Sequence, residues 1–118
     1  MRAAASEGLT VELRGRGTKG DFGALAPPPG VVVDLSALSA VVEHVAGDLV
    51  VRVQPGLTLA GLAAALAGSG QRLAIDEVVP GSTVGGVVGT GLSGPCRLAH
   101  GAVRDLLIGV TVVMADGT

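Results

Sequence analysis

The sequence predicts an α+β chain, and three observations carry that prediction: an alternating strand near the start, a hairpin in the middle and a Leu/Ala-rich helix after it. The strand is Leu9-Thr10-Val11-Glu12-Leu13, apolar and polar by turns. The hairpin joins residues 40–45 to residues 49–54 about Ala46-Gly47-Asp48. In its second arm Leu49, Val51 and Val53 share one face, while Arg52 and Gln54 share the other. The helix starts from Thr58 as N-cap and runs through Ala67, with Leu59, Leu62 and Leu66 as one apolar stripe. Gly68 and Gly70 stop it.

The other elements follow from local chemistry. Residues 1–8 form the tail of a helix that stops at Gly8; with no N-cap and little length, its start is expected upstream. Residues 14–20 are a glycine-rich loop, and residues 21–30 an extended connector in which Pro27-Pro28-Pro29 excludes helix. Val31-Val32-Val33 is a short buried strand, after which Asp34 caps a turn. A second glycine-rich segment spans residues 80–95. Residues 106–115 read as a last apolar strand leading to Asp116-Gly117, a hairpin signal with no return arm. One partial domain over residues 1–118, truncated at both ends, is therefore expected.

Composition points the same way. Charged residues make up 15% of the chain, against roughly 25% in an average soluble domain. Mean hydropathy is +0.63, and Phe22 is the one aromatic residue among 20 glycines and much Ala, Val and Leu. So little charge suits a piece of a longer protein. The longest uncharged runs, residues 53–71 and 78–96, are interrupted by four Gly and a Pro, and by six Gly and two Pro. Neither is a continuous apolar span, so no transmembrane segment is expected. The first residues lack a signal-peptide core, which makes a cytoplasmic location the default expectation. A lone Cys96 excludes an internal disulfide and a multi-cysteine metal site, and a net charge of −2 with scattered basic residues argues against nucleic acid.

Two stretches match G-x-G-x-x-G literally. Gly15-Arg16-Gly17-Thr18-Lys19-Gly20 follows a strand but runs toward three prolines, and Gly89-Thr90-Gly91-Leu92-Ser93-Gly94 runs into Pro95. A dinucleotide-binding Rossmann unit needs a helix opening at the last glycine, so both matches fail on context. Walker A fails too, because neither run continues as Gly-Lys-Ser/Thr. Glycines that admit positive φ still let backbone N–H groups converge on an anion. Two such nests brought together would suit a pyrophosphate in a chain with little positive charge.

The order of motifs is more specific. Arg14-Gly15-Arg16-Gly17-Thr18-Lys19 is followed by Val32-Val33-Asp34-Leu35 and by Val53-Gln54-Pro55-Gly56-Leu57-Thr58. Then come the Leu/Ala helix, Pro80-Gly81-Ser82-Thr83-Val84-Gly85-Gly86 and Gly101-Ala102-Val103-Arg104-Asp105. This resembles the FAD-binding domain of the vanillyl-alcohol oxidase/p-cresol methylhydroxylase (PCMH-type) flavoprotein superfamily over nearly the whole chain. Residues 91–105 are similar to the FAD-binding subunit of bacterial glycolate oxidases.

The resemblance implies two α+β subdomains with FAD between them. Arg14, Gly15, Arg16, Gly17, Thr18 and Lys19 would form the first pyrophosphate loop. Pro80, Gly81, Ser82, Thr83, Gly85 and Gly86 would form the second cofactor loop, Ser82 and Thr83 offering hydroxyls. Gly101 and Asp105 would sit near the flavin and brace the fold. Some members attach FAD through a His where Thr18 stands, others through a Cys near Pro80-Gly81-Ser82-Thr83, so non-covalent FAD is expected. The implied activity is oxidation of a small 2-hydroxy acid such as glycolate, within a hetero-oligomeric complex at the inner face of the membrane. A D-lactate dehydrogenase, a sugar-acid lactone oxidase or a non-catalytic assembly subunit are the alternatives. The substrate domain would lie past residue 118, and no catalytic residue is assigned.

Five residues, Ser93, His100, Asp105, His44 and Cys96, invite other readings. Gly91-Leu92-Ser93-Gly94-Pro95 approaches the hydrolase elbow G-x-S-x-G but ends in Pro95. His100 and Asp105 nearby lack the strand–elbow–helix that a triad requires. His44 is expected to be a packing residue in its strand and His100 chiefly structural, while Cys96 is open between a buried small residue and an exposed thiol.

Overall fold

The computed structural model describes residues 1–24 and 26–118. Leu25, inside the expected connector, lies outside the described residues. Helix α1 (Arg2–Ser6) ends as its sequence predicts. Gly8 sits at φ +65°, its N–H bonded to the Ala5 carbonyl at 3.2 Å, while Leu9 N–H reaches the Ala4 carbonyl at 2.9 Å. This pair of bonds is a Schellman stop. It also engages Leu9, so β1 (Val11–Arg14) begins two residues later than the alternation suggests.

β1 pairs in parallel with β2 (Val31–Asp34), Val11 opposite Val31 and Arg14 opposite Asp34. Parallel strands need a long crossover, commonly a helix; among the described residues 15–30 there is none. A second, separate sheet pairs β3 (Val41–Val45) antiparallel with β4 (Val50–Val53), as the hairpin pattern predicts. A 3-10 turn at Ala46–Asp48 connects them and leaves Leu49 at φ +59°. Gln54 closes the open end, its N–H bonding the Ala40 carbonyl at 2.9 Å and its Oε1 accepting from Ala40 N–H at 2.9 Å.

Helix α2 (Leu59–Ala67) buries the expected Leu59, Leu62 and Leu66. Thr58 Oγ1 accepts from Gly61 N–H at 3.0 Å, as its N-cap role requires. The helix closes through Gly70, at φ +66°, with Gln71 N–H on the Leu66 carbonyl at 3.2 Å.

Two expectations need correction. The segment 80–95 is not all loop: Val84–Thr90 forms α3, in spite of Gly85, Gly86 and Gly89. Its helicity comes from outside the segment. Val84 N–H bonds the Leu57 carbonyl at 2.8 Å, Gly85 N–H the Pro55 carbonyl at 2.8 Å, and Thr83 Oγ1 takes Gly86 N–H at 3.2 Å. These bonds satisfy donors that glycine-rich sequence leaves weakly held. Second, residues 107–114 form no strand, because none of the described residues pairs with them, and Leu106 ends a helix instead. The turn at Asp116-Gly117 is present, with Gly117 N–H on the Met114 carbonyl at 2.9 Å.

Two further short helices, α4 (Arg97–His100) and α5 (Val103–Leu106), follow α3. The core gathers Leu59 of α2, Val87 of α3 and Val103 of α5, with Leu73, Ile75, Val84 and Val88 packed around them. Helices and strands thus occupy separate stretches of an α+β chain. Among the described residues no helix is long and apolar enough to cross a membrane.

Candidate functional site

The first glycine loop leaves β1 and never becomes a helix, as Pro27-Pro28-Pro29 foretold. Gly17 lies at φ +68°, a conformation that side chains rarely adopt. Gly15 presses against the second segment: a Cβ there would stand 2.6 Å from Thr83 Oγ1. Among the described residues the backbone N–H groups of Gly15, Arg16, Gly17, Thr18 and Lys19 make no hydrogen bond. Five neighbouring donors without partners are what an anion-binding turn requires.

The basic side chains of this loop have separate fates. Arg14 Nε donates to Glu12 Oε1 at 2.8 Å, a bond that raises the Arg14 pKa and lowers that of Glu12. Lys19 Nζ donates to Ser82 Oγ at 2.8 Å. Partial burial pushes the Lys19 pKa down, opposed by the charge of Glu77. Arg16 is exposed and makes no ion pair among the described residues.

The second segment backs the first. Pro80 leads into Gly81, at φ +80°, whose N–H is held by Glu77 Oε1 at 2.9 Å. Gly81 lies beside the first loop; a Cβ on it would be 3.7 Å from Thr18 Cγ2 and 3.9 Å from Arg16 Nε. Ser82 is 1% exposed, accepting from Lys19 and donating to the Val79 carbonyl at 2.6 Å. Thr83, also buried, caps α3 and forms a bridge with Thr58, so α2 and α3 start side by side. Gly85 fits where a Cβ would come within 2.8 Å of Pro55 Cβ, and one on Gly86 would stand 3.7 Å from Lys19 Nζ. The structure therefore brings both glycine segments together. The Ser82 and Thr83 hydroxyls and the first N–H groups of α3 are engaged within the chain.

A cleft of ≈ 600 Å³ opens at the first loop. Gly15 and Arg16 form one wall, Ser36 and Ser39 another, and Gly56, Leu57 and Thr58 the third. Gly56 makes this possible, because its N–H bonds the Leu38 carbonyl at 2.7 Å and a Cβ would overlap the carbonyls of Leu35, Ser36 and Leu38. Ser36 and Ser39 were not singled out by sequence, and Gly56-Leu57-Thr58 appeared only within a motif. Asp34 caps the turn below them as expected: its Oδ1 accepts from Ser36 N–H at 2.8 Å, which lowers its pKa.

Gly101 and Asp105 lie outside this cleft. Gly101 adopts φ +84°, a Cβ there would meet Asp105 at 2.9 Å, and Asp105 Oδ2 accepts from Ala102 N–H at 2.8 Å. They shape the start of α5, which carries Val103 into the core. Ser93 is 2% exposed and accepts from Val103 N–H at 3.0 Å, so no nucleophile elbow is formed. His100 is exposed at the end of α4, and His44 Nε2 bonds Gln71 Oε1 at 2.9 Å, linking the hairpin to the end of α2. Cys96 is half-buried, its N–H and Sγ both bound to the Asp76 carboxylate at 2.6 and 3.0 Å. Among the described residues no cluster of His, Cys, Asp and Glu fits a metal ion.

A row of open amides, an unpaired guanidinium and hydroxyl-bearing walls suit a ligand with phosphate and sugar groups. Comparison with known proteins agrees. The FAD binding domain family matches residues 1–118. An uncharacterised FAD-linked oxidoreductase of Mycobacterium tuberculosis is 33% identical over 118 residues, 99% of this chain and 26% of that protein. A glycolate oxidase subunit of Escherichia coli is 30% identical over 119 residues, 99% of this chain and 33% of its own length. A mitochondrial D-lactate dehydrogenase (cytochrome) of Arabidopsis thaliana is 33% identical over 93 residues, 79% of this chain and 16% of that protein. The chain thus spans a third or less of these relatives' lengths. No solved structure gave a significant match. Profile, relatives and the geometry of the first loop converge: the chain belongs to the FAD binding domain family of flavin oxidoreductases, and its cofactor is FAD.

Proposed function

We propose that this chain is the cofactor-holding part of an FAD-dependent oxidoreductase acting on a small 2-hydroxy acid such as glycolate. The single observation that carries the site assignment is the run of unpaired amides at residues 15–19 beside the cleft. In this reading those amides face the FAD diphosphate. Residues 80–86 back the first loop, Thr83 against Gly15 and Gly81 beside Thr18, while Lys19 and Ser82 keep the two segments in register. Gly101 and Asp105 brace the fold at the start of α5, outside the cleft. We take the two separate sheets as the beginnings of two α+β subdomains, with the cofactor between them.

Bound FAD supplies the hydride-accepting chemistry, and the chain's own residues supply binding and orientation. The FAD is held non-covalently, since Thr18 and the segment Pro80-Gly81-Ser82-Thr83 offer neither His nor Cys. The choice of a 2-hydroxy acid is supported by two relatives, a glycolate oxidase subunit and a D-lactate dehydrogenase. The latter also favours D-lactate as a second candidate substrate. A place in a multi-subunit oxidase accords with the former being a subunit; a position of that complex at the inner face of the membrane is part of the proposal.

The test uses the full-length holoprotein mixed anaerobically with glycolate or D-lactate. Bleaching of the flavin's visible absorbance by either is expected. A flavin that neither reduces would sink the 2-hydroxy acid reading. Acid or urea denaturation separates the second point: flavin is expected in the supernatant, and flavin retained on the precipitate would mean a covalent link.

A further inference from the structure

We draw no further inference here: the strongest candidate, the largely apolar cavity of ≈ 290 Å³ lined by His44, Leu49, Val51, Leu66, Arg72 and Leu73 between the β3–β4 hairpin and the end of α2, carries none, because nothing in the structure shows what covers it.

Discussion

Lys19 Nζ donates to Ser82 Oγ at 2.8 Å and so ties the two glycine segments across 63 positions of sequence. Ser82 passes the restraint on to the Val79 carbonyl at 2.6 Å. The first loop, rich in glycine and short of internal bonds, gains its fixed side from this contact. Lys19→Met should therefore loosen the loop, costing about 1 kcal/mol of stability. FAD affinity should fall with it, and Ser82→Ala should produce a similar effect. In a double-mutant cycle read by urea unfolding, additive losses would show that the bond contributes nothing.

Two glycines of α3 make opposite predictions. A methyl at Gly85 meets Pro55 at 2.8 Å, so Gly85→Ala should destabilise by roughly 1–3 kcal/mol. Nothing stands within 4 Å of a Cβ at Gly89, so Gly89→Ala should stabilise by up to about 1 kcal/mol through helix propensity. Thermal unfolding of the two variants checks both signs.

Leu49 is 78% exposed and holds φ +59° after the 3-10 turn, a conformation in which its Cβ is crowded. Asn tolerates that region better. Leu49→Asn should raise stability by about 0.5–1 kcal/mol; a lower melting temperature would mean that the Leu49 side chain contributes packing that outweighs the strain.

Asp76 and Cys96 should be linked in their titration. The Cys96 Sγ–H and N–H bonds hold the Asp76 carboxyl below its usual range, with Arg72 adding to the effect. A carboxyl depressed in the folded state stabilises above its unfolded pKa and loses that contribution as pH falls through the folded value. The same bond raises the thiol, so Cys96 should react slowly with a disulfide reagent in mildly alkaline buffer. Asp76→Asn should speed that reaction and remove part of the acid sensitivity. An unchanged rate would show that the carboxylate does not control the thiol.

What was legible in the sequence was local. Thr58 as a cap, the Leu59, Leu62 and Leu66 stripe, Gly8 as a stop and the absence of helix among the described residues before Pro27 each depend on residues within a few positions. The helix at Val84–Thr90 was hidden because its glycines disfavour helix and its first donors are satisfied by Pro55 and Leu57, about thirty positions away. Ser36 and Ser39 were hidden for a related reason: they reach the cleft because Gly56 lets the chain pass against Leu38. The motif order pointed to the right family while leaving that wall unseen. Residues 107–114 have strand composition, but composition forms no ladder without a partner.

The most direct test is FAD binding by the full-length apoprotein with the first loop altered at its turn. Gly17→Val forces a branched side chain into φ +68° and displaces the neighbouring amides while leaving the core untouched. Fluorescence titration should show FAD affinity reduced at least roughly tenfold, with the circular dichroism spectrum unchanged. FAD affinity equal to wild type would contradict the assignment of the 15–19 amides to the cofactor's diphosphate.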